Sequence, residues 1–221
     1  MVMMGGIPVK KRHLAAILLA SSAFISACGS PEEQIHKSLE ETVVLEKDFE
    51  KQQKPLMKLE KEEKSLFDEM MNLGMKKFDE IVSLSDKALT NLDKREELLA
   101  KEEEAMAASK KEFDKIDGLI GKLKDDQLKG KAKELQELMN QRYDSHKQLV
   151  KAYNEAIKQD RKVYELMKDK ELKLETLESQ IESANQVQED IQAANELFNK
   201  LTDQFNEGKE KLYKEAGIIS D

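Results

Sequence analysis

Between Glu32 and Ala216 the chain contains a single proline, Pro55, and its apolar residues return every three or four positions almost without pause. A run of that length and period folds as helix, because a 3.6-residue turn gathers such positions onto one face. Breakers divide it into four stretches. The first, about Glu32 to Leu73, keeps Ile35, Leu39, Thr42, Phe49, Leu56, Leu66 and Met70 on one stripe. Pro55 removes an intrahelical hydrogen bond and biases Lys54 away from helix, so a kink or short break is expected near Gln52 to Pro55. The second, about Phe78 to Lys124, has Glu96 and Glu103 on the expected seam, which predicts a looser, more solvated middle. Asp125 and Asp126 supply acidic N-caps for the third, which runs to about Lys168 through Leu128, Leu135, Met139, Tyr143, Tyr153, Ile157 and Tyr164. The pattern resets at Lys168 to Lys170. The fourth stretch then passes through Leu177, Ile181, Ala184, Ile191, Phe198, Leu201, Phe205 and Leu212, with the alternating steps of a coiled-coil seam in its second half.

Each stretch is about 40 residues, or roughly 60 Å at 1.5 Å per residue. Near-equal lengths joined by short turns favour antiparallel neighbours, so the expected fold is all-α, an elongated antiparallel coiled-coil bundle of three or four long helices. Composition agrees: with 37% charged residues, 5% aromatics and no Trp, the apolar supply suits narrow seams better than a thick core. Glu60 with Lys64 and Glu210 with Lys214 read as i,i+4 pairs on outer faces.

Ahead of the helices, Lys10, Lys11 and Arg12 precede an apolar run from Leu14 to Phe24, the layout of a secretory signal peptide. Ile25-Ser26-Ala27-Cys28 follows and resembles the bacterial lipobox, in which an aliphatic residue and two small ones precede a cysteine. Small side chains let the extended backbone enter the signal peptidase cleft, so cleavage is expected between Ala27 and Cys28. The thiolate of Cys28 is the nucleophile that takes a diacylglyceryl group, and the freed amine takes a further, palmitoyl-like chain. Each buried CH₂ contributes about 0.8 kcal/mol, so two or more chains hold stably where one binds reversibly. The expected division is therefore 1–27 signal peptide, 28–31 lipidated cysteine and tether, 32–217 helical domain and 218–221 tail. The expected location is the extracytoplasmic face of the cell membrane. Cys28 is the only cysteine, which excludes an intramolecular disulfide.

The formal charge is -8, and loss of the leader's three cations takes it to -11. Such a field opposes nucleic acid, anionic headgroups and teichoic acid. Nucleic acid is accordingly not expected as a partner. His36 and His146 lie far apart, without zinc-site spacing, so neither metal nor cofactor is expected. Glu102-Glu103-Glu104 reads as a solvated acidic face, and Gly118 and Gly121 are too isolated for a phosphate loop. Tyr143, Tyr153 and Tyr164 could form a sugar-stacking row, but all three occupy seam positions and read as core. The expectation is a protein that is not an enzyme.

The stretches Lys51 to Leu56 (KQQKPL), Leu73 to Leu89 (LGMKKFDEIVSLSDKAL) and Asn91 to Leu99 (NLDKREELL), with the ending Glu215-Ala216-Gly217-Ile218, resemble the YkyA-like family of cell-wall-binding lipoproteins from Bacillus and related Gram-positive bacteria. The likeness extends from Cys28 to about Gly217. It implies attachment outside the cytoplasmic membrane and association with the wall, and only Cys28 carries over as a functional position. The implied partners are the membrane, through lipid on Cys28, and either cell-wall polymer or an extracytoplasmic protein. The alternative role is a protein adaptor that regulates wall enzymes or a membrane complex through its helical surface. Replacing Cys28→Ser should abolish incorporation of labelled fatty acid and release the chain from the membrane fraction. Label retained on the variant would contradict the lipobox reading.

Overall fold

The computed structural model describes residues 29–73 and 77–219. Four long helices, α1 (Pro31–Asn72), α2 (Phe78–Phe113), α4 (Asp126–Leu166) and α5 (Leu174–Glu215), are accompanied by the short α3 (Ile116–Ile120). No strand occurs among the described residues. The fold is all-α, with four long helices where the sequence left three or four open.

Side-chain pairs fix the topology. Ser38 meets Glu112 and Gln53 meets Glu102, so α1 and α2 run antiparallel. Lys131 with Glu215 and Arg142 with Thr202 make α4 and α5 antiparallel. Arg161 with Asp93 and Lys168 with Asp86 tie α4 antiparallel to α2. Glu46 with Arg142 and Glu60 with Tyr153 show that α1 and α4 run parallel, bridged by side chains long enough to cross the core. The result is two helical hairpins, α1/α2 and α4/α5, in an up-down-up-down bundle.

Local chemistry sets the helix ends. Ser30 caps α1 in a capping box: its Oγ accepts from the Glu33 N–H at 3.2 Å, and its own N–H donates to Glu33 Oε2 at 3.1 Å. Pro31, assigned by sequence to the tether, is the first residue of α1, where its missing N–H costs nothing. Asp125 caps α4 as expected, accepting from the N–H groups of Gln127 and Leu128. At the far end of α5, Gly217 takes φ 65°, the Ile218 N–H donates to the Tyr213 carbonyl at 2.9 Å and the Gly217 N–H to that of Lys214 at 3.0 Å. This Schellman cap explains the Glu-Ala-Gly-Ile ending in physical terms.

Three expectations need correction. First, of the kink or short break expected at Pro55 the break is absent: α1 runs through it, and Pro55 and Lys51 are both exposed, so water can satisfy the carbonyl that the proline leaves free. Second, the second stretch does not reach Lys124. It ends at Phe113, and after a turn α3 folds Ile116 and Ile120 beneath the bundle, where they close the core with Leu123 and Leu128. Third, Glu96 and Glu103 are exposed, and the middle of α2 is not loose. Leu92, Leu99, Met106 and Phe113 of the expected seam are buried, and they alternate with Arg95, Glu102 and Ser109 in place of Glu96 and Glu103. Glu60 also faces inward, towards Arg95, and Lys64 pairs instead with Asp68. Glu210 and Lys214 do pair, at 3.4 Å.

The apolar core divides into two clusters along the bundle. One, at the Ser30 end, includes Leu39, Phe49, Phe113, Leu135, Met139 and Phe205. The other, at the far end, includes Leu56, Phe67, Leu92, Ile157, Val163 and Ile191. Full burial of such a side chain contributes about 1.5–3 kcal/mol. Within the first cluster, Arg142 holds Glu46 through two parallel bonds of 2.7 and 2.9 Å, with both side chains almost wholly buried. Arg142→Met should therefore lower stability by about 3–5 kcal/mol in chemical denaturation by stranding a buried carboxylate. The double replacement Glu46→Leu, Arg142→Met should recover most of that loss.

Candidate functional site

Cys28 and the Ala27–Cys28 bond lie outside the described residues. The structure begins beside them: the Gly29 carbonyl accepts from Gln34 Nε2 at 2.6 Å, and Ser30 is already the cap of α1.

The bundle interior holds two polar layers that the sequence reading missed. The layer nearer Ser30 draws on all four long helices. Glu46 of α1 accepts from Arg142 of α4 and, at 3.0 Å, from Ser109 of α2. Ser109 also shares a 2.8 Å hydrogen bond with the Tyr143 hydroxyl, and Arg142 Nε donates to Thr202 of α5 at 2.7 Å. The guanidinium lies 4.8 Å from the centre of the Phe198 ring, a cation–π contact in a desolvated site.

The far layer is unequal in charge. Arg95 of α2 bonds Glu63 of α1 and lies 4.0 Å from Glu60 and 3.8 Å from Asp160 of α4. Tyr164 donates to Glu63 at 3.0 Å and Tyr153 to Glu60 at 3.1 Å. Burial raises the Glu60 carboxyl despite the nearby Arg95. Burial likewise pushes Tyr153 and Tyr164 well above the usual phenol range, and neighbouring carboxylates add to it. Glu102 lies along the same seam, where burial raises its carboxyl to about 8 although Gln53 donates to it at 2.6 Å. Gln53 of the Lys51 to Leu56 motif thus ties α1 to α2.

The remaining sequence candidates scatter. His36 packs edge-on against Tyr213 at 4.7 Å, whereas His146 lies between Phe49 and Phe198 at 5.4 and 5.6 Å. Burial lowers the imidazole of His146 to about 4, with Arg142 acting in the same sense, so it stays neutral in the core. Of the acidic run, Glu102 is buried while Glu103 and Glu104 are exposed. Tyr143, Tyr153 and Tyr164 are all buried, each hydroxyl engaged by a side chain of α1 or α2, which leaves no face for a sugar. Among the described residues, no group of three or more His, Cys, Asp or Glu could hold a metal ion. A groove of about 330 Å³ between α4 and α5 is floored by Leu135 and Leu138, with Lys131 and Lys211 opposed by Glu134 and Glu207. Gly208 lies in it because a Cβ there would come 3.1 Å from Leu135.

With this arrangement established, comparison with known proteins decides the family. The profile of a family described as "Putative cell-wall binding lipoprotein", YkyA, matches residues 30–215. The chain belongs to the YkyA family. It is 36% identical over 187 residues to "Uncharacterized lipoprotein YkyA" of Bacillus subtilis (strain 168), spanning 85% of this chain and 84% of that protein. In fold it is similar to a conserved protein of unknown function from Staphylococcus aureus solved at 1.6 Å, with a TM-score of 0.64 and 16% identity over 87% of this chain and 98% of that one. The family match ends where α5 does, so it covers the whole bundle with both polar layers.

One sequence signal could have found those layers. Arg95, Glu102 and Ser109 stand seven residues apart on α2, a polar heptad interleaved with Leu92, Leu99 and Met106. Such a register is buried only if other helices bring partners to it. Tyr164→Phe should cost about 1–2 kcal/mol by leaving Glu63 short of a donor, measured by urea unfolding, and should leave any retention on purified cell wall unchanged. Weaker wall retention at equal stability would return the tyrosines to the status of ligand contacts.

Proposed function

We propose that this YkyA-family protein is anchored by lipid on Cys28 at the outer face of the cell membrane and projects a stiff helical rod into the wall space, where it binds wall material. The supporting observation is the capping box at Ser30. It starts a helix of 42 residues, about 60 Å long, only two residues past Cys28. A lipid anchor joined to a helical bundle through so short a tether holds the whole body at the membrane surface and fixes which end is free. No helix of the described residues is long and apolar enough to cross a membrane, so a membrane anchor in this reading falls to the lipid.

The family description supplies the wall as partner. The net charge of -11 after loss of the leader argues against teichoic acid as the direct ligand and favours less acidic wall polymer. The purified protein should be retained on washed cell walls at low salt and stay bound after removal of teichoic acid. Absence of retention at low salt would remove direct wall binding.

A second reading, a protein adaptor acting on wall enzymes or a membrane complex, draws on the end far from Ser30. There Met71 and Leu174 stand 51% and 66% exposed beside the turns that join the helices. Crosslinking in intact cells that yields one stoichiometric protein partner, together with no wall retention, would favour the adaptor.

A further inference from the structure

The far polar layer places three carboxylates, the buried Glu63 and Asp160 and the half-buried Glu60, around one guanidinium, that of Arg95. Asp160 is 2% exposed, its Oδ1 has no hydrogen-bond partner, and Arg95 Nε is also unpartnered. Glu63 bonds Arg95 Nη1 and Asp160 lies 3.8 Å from the same nitrogen, so two buried carboxyl groups crowd one donor. Two ionised carboxylates are acceptors only, so one can bond the other only when one of them carries a proton. We propose that the Asp160–Glu63 pair is a proton-dependent latch between the α1/α2 hairpin and α4, which closes the far half of the bundle when one proton is bound and loosens it as the medium turns alkaline.

The surroundings of the pair leave this proton few alternatives. From α1, Glu63 repels a second negative charge on Asp160, while Glu60 lies beside Arg95. From α2 the single cation is Arg95, already bonded to Glu63, with Glu102 further along adding negative charge to Glu60. On α4 itself, Tyr164 spends its proton on Glu63 and Tyr153 spends its own on Glu60. No group of α5 figures among the charges acting on Asp160. Burial above all, then the Glu63 charge, raises the Asp160 carboxyl to about 8, with Arg95 opposing. The layer nearer Ser30 contrasts with this, since there one carboxylate meets one guanidinium through two bonds and needs no added proton.

The sign follows from linkage. The native state holds a proton that the unfolded chain releases near the ordinary carboxyl value of about 4, so this contribution is complete below that pH and is lost as pH rises towards 8. Glu102 acts in the same sense over the same window. His146, lowered to about 4, acts in the opposite sense, but only below its unfolded value of about 6.5. Between pH 6.5 and 8 the carboxyls therefore act alone.

Unfolding of the full chain and of its Asp160→Asn variant, followed across that interval, tests the latch. The wild-type folding equilibrium should weaken with rising pH, and the variant's should weaken by about tenfold less per pH unit, the effect of one linked proton. The second measurement is the distance between spin labels at Lys61→Cys on α1 and Lys162→Cys on α4, both exposed, in a Cys28→Ser background. That distance should lengthen or broaden between pH 6.5 and 8.5, and should not change when Asp160→Asn is added. A control pair at Glu41→Cys and Lys133→Cys should hold still. Equal pH slopes for the two chains, an unchanging distance at the far pair, or failure of Asp160→Asn to fold at any pH would each overturn the latch.

Discussion

The bidentate bond between Glu46 and Arg142 is the contact on which the alignment of this bundle rests. Apolar seams tolerate sliding, because one leucine packs against another with little regard to register, whereas a buried charge has a single acceptable partner. This pair joins α1 to α4 across the core, takes in Ser109 and Tyr143 on one side and reaches Thr202 on the other. All four long helices are thereby set at one height. A slip of either hairpin by one turn would leave a carboxylate and a guanidinium buried without each other, at a cost comparable to the net stability of a small domain.

The far layer is built from the same residue types in a different ratio, and the ratio gives the two halves different properties. One carboxylate against one guanidinium is neutral and complete. Three against one leaves excess negative charge in a desolvated space, and such a space relieves it most readily by taking up a proton. For a rod attached through its N-terminal end, the charge-matched layer then lies nearest the membrane and the proton-dependent one lies towards the free end. In the proposed anchoring, the conditional element is thus at the free end.

The fold was largely legible in the sequence because its determinants are local. Apolar spacing, the Asp125 cap and the scarcity of breakers each act within a turn or two of helix, and α1, α4 and α5 follow the predicted stretches to within a few residues. The errors arose where two local rules pointed different ways. Pro55 is a strong breaker by itself, yet it sits on an exposed face of α1 and the helix continues past it. On α2, hydrophobicity alone chose Glu96 and Glu103 as misplaced seam residues and passed over Arg95 and Glu102, one residue before each, which face inward. The three tyrosines were correctly read as core, because they fall on the stripe whatever their chemistry.

The sequence by itself determined that this chain makes long helices and where most of them start and stop, and it places Cys28 in a stretch that resembles a lipobox just before them. Each of these depends on neighbours along the backbone. Only the tertiary structure decided that there are four long helices and not three, that Glu46 answers Arg142, and that Asp160 and Glu63 both meet Arg95. A charged residue at a seam position is an error or an anchor depending on what another helix places opposite it, and for Glu46 that partner is 96 residues away in the chain.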